Sequence, residues 1–216
     1  MKKFELTTDF IAPFGVKLFR IKALIEFGTV KAGELGGYIE KEENLSQKGD
    51  AWVCGNARVY GNAEVYGNAW VCGDAEVYGN AEVYGNARVY GNAEVYGNAW
   101  VYGNAWVCGD AEVYGNAWVY GNARVYGNAW VCGDAWVCGD ADYTTIKGFG
   151  TECRNTTFFR CKDGSVKVAC GCFLGTIDEF RKQVTETREG KIAKEYLMIA
   201  DLMEYHFADS EVAENE

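Results

Sequence analysis

The sequence predicts an all-β solenoid between two smaller caps, and three observations lead to this fold class. First, residues 49–144 form an unbroken run of sixteen hexapeptides with the pattern G-[N/D]-A-x-V-[Y/C]. Second, side chains alternate across an extended segment, so the Ala and Val of each unit face one side and the other two residues face the opposite side. Third, Gly followed by Asn or Asp supplies a turn, because both residues tolerate a positive φ. Strands this short cannot stand alone, but they can form the sides of a coil that stacks on itself.

Length and composition exclude several other classes of protein. The chain has 216 residues and is 49% hydrophobic, which argues against general disorder. It has 27 Gly but 1 Pro, whereas collagen needs both in abundance. The apolar stretches are too short for a membrane-spanning helix, and the N-terminus lacks the apolar core of a signal peptide. We therefore expect a cytoplasmic protein with no membrane partner, whose nine cysteines are thiols or metal ligands.

The repeat resembles that of the hexapeptide-repeat, left-handed β-helix superfamily, in which an aliphatic residue recurs every six positions with a small residue two before it. Val53, Val59 and Val65 begin the aliphatic series, and Ala51 and Ala57 begin the small one. The resemblance implies a left-handed triangular coil of three hexapeptides, or 18 residues per turn. The first fifteen units keep the pattern, whereas the sixteenth departs from it at its last three residues. The repeat then makes about five coils, spaced by roughly 4.8 Å.

A narrower resemblance concerns the segment that precedes the repeat. Residues 31–39 (KAGELGGYI), followed by residues 44–47 (NLSQ), are similar to the start of YdcK-type β-solenoid proteins. Those proteins are bacterial and phage-borne. The resemblance therefore implies a phage or prophage origin and the cytoplasm of a bacterial host.

Both flanks of the repeat are predicted to be caps, since an open coil end exposes unpaired backbone and an apolar cross-section. Residues 1–48 are predicted to form a β cap, because every second residue from Phe19 to Phe27 is apolar and would form one face of a strand. Residues 145–216 are predicted to form a ββαα module with an acidic tail. Its hairpin turns at Asp163-Gly164, and a capping box, Thr176 with Glu179, begins the first helix.

With 18 residues per turn, the outward side chains fall into columns on three faces. In the position before Val, the first face carries Trp52, Trp70, Arg88, Trp106, Arg124 and Asp142. The second face carries Arg58, Glu76, Glu94, Glu112 and Trp130, and the third carries Glu64, Glu82, Trp100, Trp118 and Trp136. All seven tryptophans of the chain thus face outward.

These columns have two explanations. In-register aromatic rings, and Trp alternating with Arg, stabilise stacked rungs. Alternatively, the columns form a binding surface. Seven exposed tryptophans are more than a monomer usually exposes to water, and large exposed aromatic patches mark interfaces. The candidate binding residues are therefore Trp52, Trp70, Arg88, Trp106, Arg124, Glu76, Glu94 and Glu112.

The net charge of −10 is concentrated in the solenoid, where 3 basic and 11 acidic residues leave a net −8. An acidic rod repels nucleic acid, so we expect no direct nucleic-acid binding. The stacked Glu76, Glu94 and Glu112 suggest a mimic of a nucleic-acid backbone that occupies a basic groove of another protein. The alternative is that these carboxylates keep an aromatic-rich surface soluble.

The sequence offers little for catalysis. Many hexapeptide-repeat proteins are acyl-CoA transferases, and the resemblance implies a catalytic His near or on a loop that projects from the coils. No loop interrupts residues 49–144, and the one histidine, His206, lies outside them. We therefore predict a protein that is not an enzyme and needs no cofactor, with an acyltransferase as the least favoured alternative.

The cysteines are weak candidates for a metal site. Cys153, Cys161, Cys170 and Cys172 cluster near the C-terminus, but the paired C-x-x-C knuckles of zinc sites are missing. Cys170 and Cys172 are predicted to point to one face of a strand, and small buried apolar side chains explain the cluster equally well. Cys54 and Cys72 stack at a spacing that permits a disulfide, which a reducing compartment disfavours.

The sequence therefore predicts a non-enzymatic binding protein of phage or prophage type. An inhibitor or decoy of a host protein, such as a nucleic-acid-binding defence enzyme, is the leading form of this hypothesis. A purely structural, self-associating scaffold is the alternative. We also expect a homo-oligomer, a dimer or a trimer, held together by the aromatic columns or by the C-terminal helices.

Overall fold

Each regular hexapeptide contributes one short strand that contains its x-Val pair. The computed structural model describes residues 1–150 and 154–208. In it the repeat forms strands β4–β18, which are Trp52–Val53, Arg58–Val59, Glu64–Val65, Trp70–Val71, Glu76–Val77, Glu82–Val83, Arg88–Gly91, Glu94–Val95, Trp100–Val101, Trp106–Gly109, Glu112–Val113, Trp118–Val119, Arg124–Val125, Trp130–Val131 and Trp136–Val137. Fifteen regular units thus give fifteen strands, as the repeat predicts.

Strands three units apart pair in parallel, so each residue lies beside the residue 18 positions later. Val89, for example, is paired with Val71 on one side and Val107 on the other. The solenoid therefore has three sheets: β4-β7-β10-β13-β16 on the first face, β5-β8-β11-β14-β17 on the second and β6-β9-β12-β15-β18 on the third. The predicted solenoid with 18-residue coils is confirmed.

The interior of the coils contains only the Ala and Val of the repeat over residues 51–131, and each of these side chains is at most 1% exposed. Burying a Val side chain fully contributes roughly 1.5–3 kcal/mol. The narrow apolar column therefore stabilises every coil of the solenoid.

The N-terminal cap continues the sheet of the second face. Its strands are β1 (Phe4–Ile11), β2 (Leu18–Ala23) and β3 (Leu35–Ile39). The central β2 is antiparallel to both β1 and β3, and β3 pairs in parallel with β5. The strand predicted over residues 19–27 ends earlier, at Ala23, because the chain then turns and forms an isolated bridge between Phe27 and Val30.

Two buried polar side chains of this cap close the first coil. The Lys3 Nζ donates a hydrogen bond to the Ala51 carbonyl oxygen at 2.8 Å, and the Asn44 Nδ2 donates to the Ala63 carbonyl oxygen at 2.8 Å. Burial lowers the pKa of Lys3 to about 8, although the nearby Asp50 carboxylate acts in the opposite direction. The cap thus satisfies backbone carbonyls that have no preceding rung to pair with.

The C-terminal module contains more strands than the sequence predicts. The predicted hairpin is present as β20 (Arg154–Arg160) and β21 (Val166–Cys170). Two further strands, β19 (Tyr143–Phe149) and β22 (Phe173–Thr176), flank it in an antiparallel sheet of order β19-β20-β21-β22. Because β19 begins at Tyr143, the irregular sixteenth hexapeptide already leads into this sheet.

Two helices follow the sheet, as predicted. They are α1 (Ile177–Thr187) and α2 (Gly190–Phe207). The predicted capping box is present, since the Thr176 hydroxyl accepts from the Glu179 backbone N–H and the Glu179 carboxylate accepts from the Thr176 N–H.

The module seals the last coil with polar groups of β19 and β20. The Thr157 hydroxyl accepts a hydrogen bond from the Trp130 backbone N–H at 3.1 Å, a position that a further rung would otherwise occupy. The Tyr143 hydroxyl likewise donates to the Arg124 carbonyl oxygen at 2.7 Å. Both ends of the solenoid are thus covered, which leaves its three outer faces as the surfaces available to a partner.

Candidate functional site on the outer faces of the solenoid

The outward columns stack in the register that the 18-residue coil requires. On the first face Trp70, Arg88, Trp106 and Arg124 are paired in succession. On the second face Glu76, Glu94 and Glu112 are paired in succession, and on the third Trp100, Trp118 and Trp136 follow Glu82. The faces differ, however, in how many of their outward side chains are hydrogen-bonded, ion-paired or covered by a cap.

Trp52 is the one candidate residue that the structure removes from the surface. Its side chain is 0% exposed, and the ring of Phe27 packs edge-on against it at 5.3 Å between centroids. The prediction that Trp52 faces water as part of a binding surface is therefore wrong. The alternation correctly places Trp52 outside the coil, but the N-terminal cap folds over that position, which the repeat does not reveal.

Tyrosine hydroxyls donate hydrogen bonds to the stacked carboxylates of the second face. The Tyr60, Tyr78 and Tyr96 hydroxyls each donate a hydrogen bond at 3.0 Å to the glutamate 16 residues later, which is Glu76, Glu94 and Glu112 respectively. Arg58 adds an ion pair to Glu76 at 3.0 Å. The tyrosine rings themselves stack at 4.9 to 5.0 Å. Like charges on neighbouring rungs are thus tolerated because each carboxylate has its own donor.

These contacts shift the ionisation of the tyrosines. Burial first, and then the hydrogen bond to a carboxylate, raises the pKa of Tyr60, Tyr78 and Tyr96 well above the usual value for a phenol. Both effects disfavour the phenolate, because it loses solvation and would face a second negative charge.

We expect the protein to lose stability as the pH rises above about 10, the phenol pKa of an unfolded chain. Above that pH the unfolded state releases protons that the folded state still holds, so the free energy of unfolding falls; below it, these groups contribute no pH dependence. Urea unfolding at several alkaline pH values, with phenolate absorbance recorded in parallel, checks this. Titration of most phenols near their usual pKa while the fold persists would contradict it.

The third face is covered in part by the C-terminal module. The third face has a column of stacked tyrosines with 4.8 to 5.1 Å between ring centroids, which are Tyr66, Tyr84, Tyr102 and Tyr120. The rings of Trp100 and Trp118 stack beside them with 5.0 Å between centroids. The Lys162 Nζ lies 5.3 Å from the ring centroid of Trp118 and 5.4 Å from that of Trp136. Cation–π contacts therefore fix this end of the column to the module.

The first face leaves more of its side chains available. Arg88 and Arg124 lie on either side of Trp106, with their guanidinium carbons 5.4 and 5.2 Å from ring centroids of Trp106. Both arginines remain exposed, and Tyr90 and Tyr126 are 36% and 60% exposed.

An open cleft of about 710 Å³ lies on this first face, between the N-terminal cap and the middle coils. Trp70, Arg88, Tyr90 and Trp106 line it, and Thr29 of the cap forms part of its rim. It combines flat aromatic surface with guanidinium donors, the side-chain types that dominate protein interfaces.

Asparagine ladders at the corners are a feature that the sequence reasoning missed. The Asn62, Asn80, Asn98 and Asn116 side chains each donate to the corner residue of the next coil at 3.0 to 3.2 Å, and the ladder ends on Asp134. The signal was present in the second position of every hexapeptide, which we interpreted only as a turn residue. These ladders tie the coils together at their edges.

The cysteines do not assemble a metal site in the described part of the chain. Cys153 lies outside the described residues, and among residues 1–150 and 154–208 no group of three or more His, Cys, Asp or Glu side chains is placed to hold a metal ion. Cys161 is buried in the main core, and Cys170 accepts a hydrogen bond from the Thr156 hydroxyl at 3.2 Å. Cys172 is exposed beyond a turn at Gly171, so the prediction that Cys170 and Cys172 share one strand face is wrong.

Cys54 and Cys72 form the disulfide that their spacing permits, so the expectation that a reducing compartment keeps them apart as thiols is wrong. The coil stacks the two residues with their Cα atoms 4.6 Å apart, which is within the range that a disulfide spans. The single histidine, His206, is exposed on α2 and contacts the ring of Phe207, far in sequence from the repeats. Among the described residues, no helix is long and apolar enough to cross a membrane.

The repeat is similar to that of a known protein family. The sequence model of the YdcK β-solenoid repeat matches residues 51–67, 57–73, 81–95, 93–109, 117–133 and 123–139. No curated protein matches the chain. The matched stretches fall within the coils that carry the three faces described above. The coils of this chain are therefore similar to the YdcK β-solenoid repeat within residues 51–139.

Proposed function

We propose that this chain is a non-enzymatic binding protein that presents the first face of its solenoid to a protein partner. One observation carries the proposal: the second and third faces satisfy most of their side chains internally, whereas the first face leaves Arg88, Tyr90, Arg124 and Tyr126 exposed. The same face has a cleft that Arg88 and Tyr90 help to line. Arg and aromatic side chains that are already held by their neighbours lose little conformational freedom when a partner binds.

Support for a non-enzymatic role comes from the regularity of the coils. The described strands run from Trp52 to Val137 without an inserted loop, and Ala and Val fill the interior. His206, the single histidine of the chain, lies on α2 rather than on a coil. The first face offers recognition groups but no paired acid and base.

A second candidate function is an acidic mimic that inhibits a nucleic-acid-binding protein of a bacterial host. The observation that favours it is the regular column of Glu76, Glu94 and Glu112 on a solenoid of net charge −8. Each of these carboxylates already accepts a hydrogen bond from a tyrosine hydroxyl. Fewer of its acceptor positions are therefore left for the basic groups of a partner. We therefore rank the acidic mimic behind a binding protein that uses the first face.

The experiment compares the three faces with matched variants. The full-length chain is immobilised, a bound bacterial protein is identified, and its affinity is then measured with purified components. Trp70→Ala with Trp106→Ala is expected to weaken binding at least tenfold, with little dependence on salt. Trp100→Ala with Trp118→Ala on the third face is the matched control and is expected to leave the affinity unchanged.

The other outcomes discriminate between the candidates. Loss of binding on changing Glu76, Glu94 and Glu112 to Gln, together with a steep salt dependence of the wild-type affinity, would establish the mimic. Equal affinity of all variants would show that neither the first nor the second face is the binding surface. Thermal melting of each variant shows whether the coils remain folded.

A further inference from the structure

The first face of the solenoid repeats every two coils. In the position before Val, tryptophan and arginine alternate from coil to coil in the order Trp70, Arg88, Trp106 and Arg124. In the position after Val, cysteine and tyrosine alternate in the same way, in the order Cys72, Tyr90, Cys108 and Tyr126. Neighbouring strands lie about 4.8 Å apart, so equivalent side chains on this face recur at about 9.6 Å. A linear ligand that lies along the rod must therefore present the same groups at about this interval.

Polyproline II is the regular backbone conformation that matches this interval best. It has three residues per turn and a rise of 3.1 Å, so it returns to the same face after about 9.3 Å. An extended strand returns to the same face after two residues, or about 6.8 Å, and loses register within one repeat. An α-helix returns after seven residues, or about 10.5 Å, but its carbonyl groups are already hydrogen-bonded within the helix.

Two arginines of the first face have donors that the chain does not use. Among residues 1–150 and 154–208, the guanidinium groups of Arg88 and Arg124 donate no hydrogen bond and form no ion pair, whereas Arg58 on the second face pairs with Glu76. Both groups lie against Trp106, which leaves the N–H groups at their edges free. A polyproline II segment has no internal hydrogen bonds, so its carbonyl oxygens are available to these donors.

The charge of this face favours a ligand of low net charge. Among the described residues that line the cleft, Arg88 and Asp50 are the charged ones, so their charges balance. The solenoid as a whole carries a net charge of −8, which repels an acidic segment, and the exposed Arg88 and Arg124 repel a basic one. An uncharged segment rich in proline meets both conditions, and aromatic side chains such as Trp70 and Trp106 are the groups on which such segments dock.

We propose that the first face binds an uncharged, proline-rich segment in the polyproline II conformation, with the segment lying along the rod. Prolines three residues apart pack on Trp70 and Trp106, and a carbonyl oxygen between them accepts a hydrogen bond from Arg88. This inference rests on the function proposed above and names the partner of the same face. Because free proline-rich segments already populate this conformation, little conformational freedom is lost on binding.

Two labelled peptides of equal length test the occupant by fluorescence anisotropy with the full-length chain. Four copies of Pro-Ala-Ala place a proline on one face at every turn of polyproline II. Six copies of Pro-Ala contain more proline but place it at every second residue. The first peptide is expected to bind at least tenfold more tightly. Equal affinity of the two peptides, or no binding of either, would overturn this inference. A protein partner that still needs Trp70 and Trp106 would then leave the proposed function standing.

Variants on two faces test where the peptide binds. Trp106→Ala is expected to weaken binding of the Pro-Ala-Ala peptide at least tenfold. Trp118→Ala on the third face is the matched control and is expected to leave the affinity unchanged. Equal effects of the two variants would contradict the proposed position, and thermal melting shows whether each variant is folded.

Arg88→Met tests the hydrogen bond and does not depend on how Trp106→Ala folds. Arg88 is exposed, and methionine keeps an unbranched side chain but removes the donors. The peptide is expected to bind this variant several-fold more weakly than the wild-type chain, whereas Arg58→Met on the second face is expected to bind it as the wild-type chain does. Unchanged affinity of Arg88→Met would reject the role of the guanidinium group.

Discussion

Replacing Val89 by Asp is expected to unfold the middle of the solenoid. Val89 is 0% exposed and lies between Val71 and Val107 in a column of Ala and Val side chains. A carboxylate there has no partner, and an uncompensated buried charge costs about 3–5 kcal/mol. That is a large part of the roughly 5–15 kcal/mol that stabilises a typical domain.

Arg88→Asp is the matched control for this prediction. Arg88 is the neighbouring residue, but it faces outward and is exposed, so the same new side chain removes only a cation–π contact to Trp106. We expect that loss to cost about 1 kcal/mol or less. Urea unfolding followed by circular dichroism compares the two variants. Because repeats contact only their neighbours, Val89→Asp should also remove hydrogen-exchange protection first in the coils next to the substitution. Equal stability of the two variants would mean that the side chains do not alternate as described.

Gly85→Ala is expected to destabilise the solenoid more than Gly127→Ala does. Both glycines turn corners at a positive φ, +71° for Gly85 and +69° for Gly127. An added Cβ at Gly85 would lie 2.9 Å from the Gly103 nitrogen and 3.0 Å from its oxygen. Apart from the residues next to it in the chain, no atom of the described residues lies within 4 Å of a Cβ at Gly127. The backbone strain, about 1–2 kcal/mol, is common to both variants.

The difference between the two glycine variants therefore isolates the close approach of neighbouring coils. Since the clash at Gly85 is with backbone atoms, the coils must separate locally and weaken the hydrogen bonds that join them. We expect an additional loss of about 1–3 kcal/mol, comparable to overpacking a core. The free energy of unfolding of each variant, measured by denaturant titration, gives this difference directly. If Gly127→Ala were as destabilising as Gly85→Ala, strain in the corner alone would explain the glycine of every repeat.

Most of the solenoid could be predicted because its determinants are local and repeated. The alternation of Ala and Val with larger side chains decides which side of each strand is buried, and Gly decides where the chain turns. A coil of 18 residues then determines which side chains stack, as the pairing of Glu76 with Glu94 shows. The hairpin of β20 and β21 and the capping box at Thr176 were predictable for the same reason, since each depends on residues close in sequence.

Features that depend on contacts between distant segments were decided by the tertiary structure. Trp52 has the same repeat context as Trp70, yet it is buried because Phe27 of the cap packs on it. Strand β22 is a four-residue segment with a glycine, and it is extended because β21 supplies its hydrogen-bonding partner. Local preferences are too weak to specify so short a strand without that pairing.

The candidate site divides in the same way. The sequence by itself determined which side chains form the columns on each face, because register follows from the period. Only the tertiary structure decided which columns remain available: tyrosine hydroxyls satisfy Glu94 and Glu112, Lys162 covers Trp118 and Trp136, and Arg88 and Arg124 stay exposed beside Trp106. The physical reason is that the period and the alternation of side chains determine the direction in which each side chain points. Its hydrogen bonds and its burial depend instead on its rotamer and on the cap residues that pack against it.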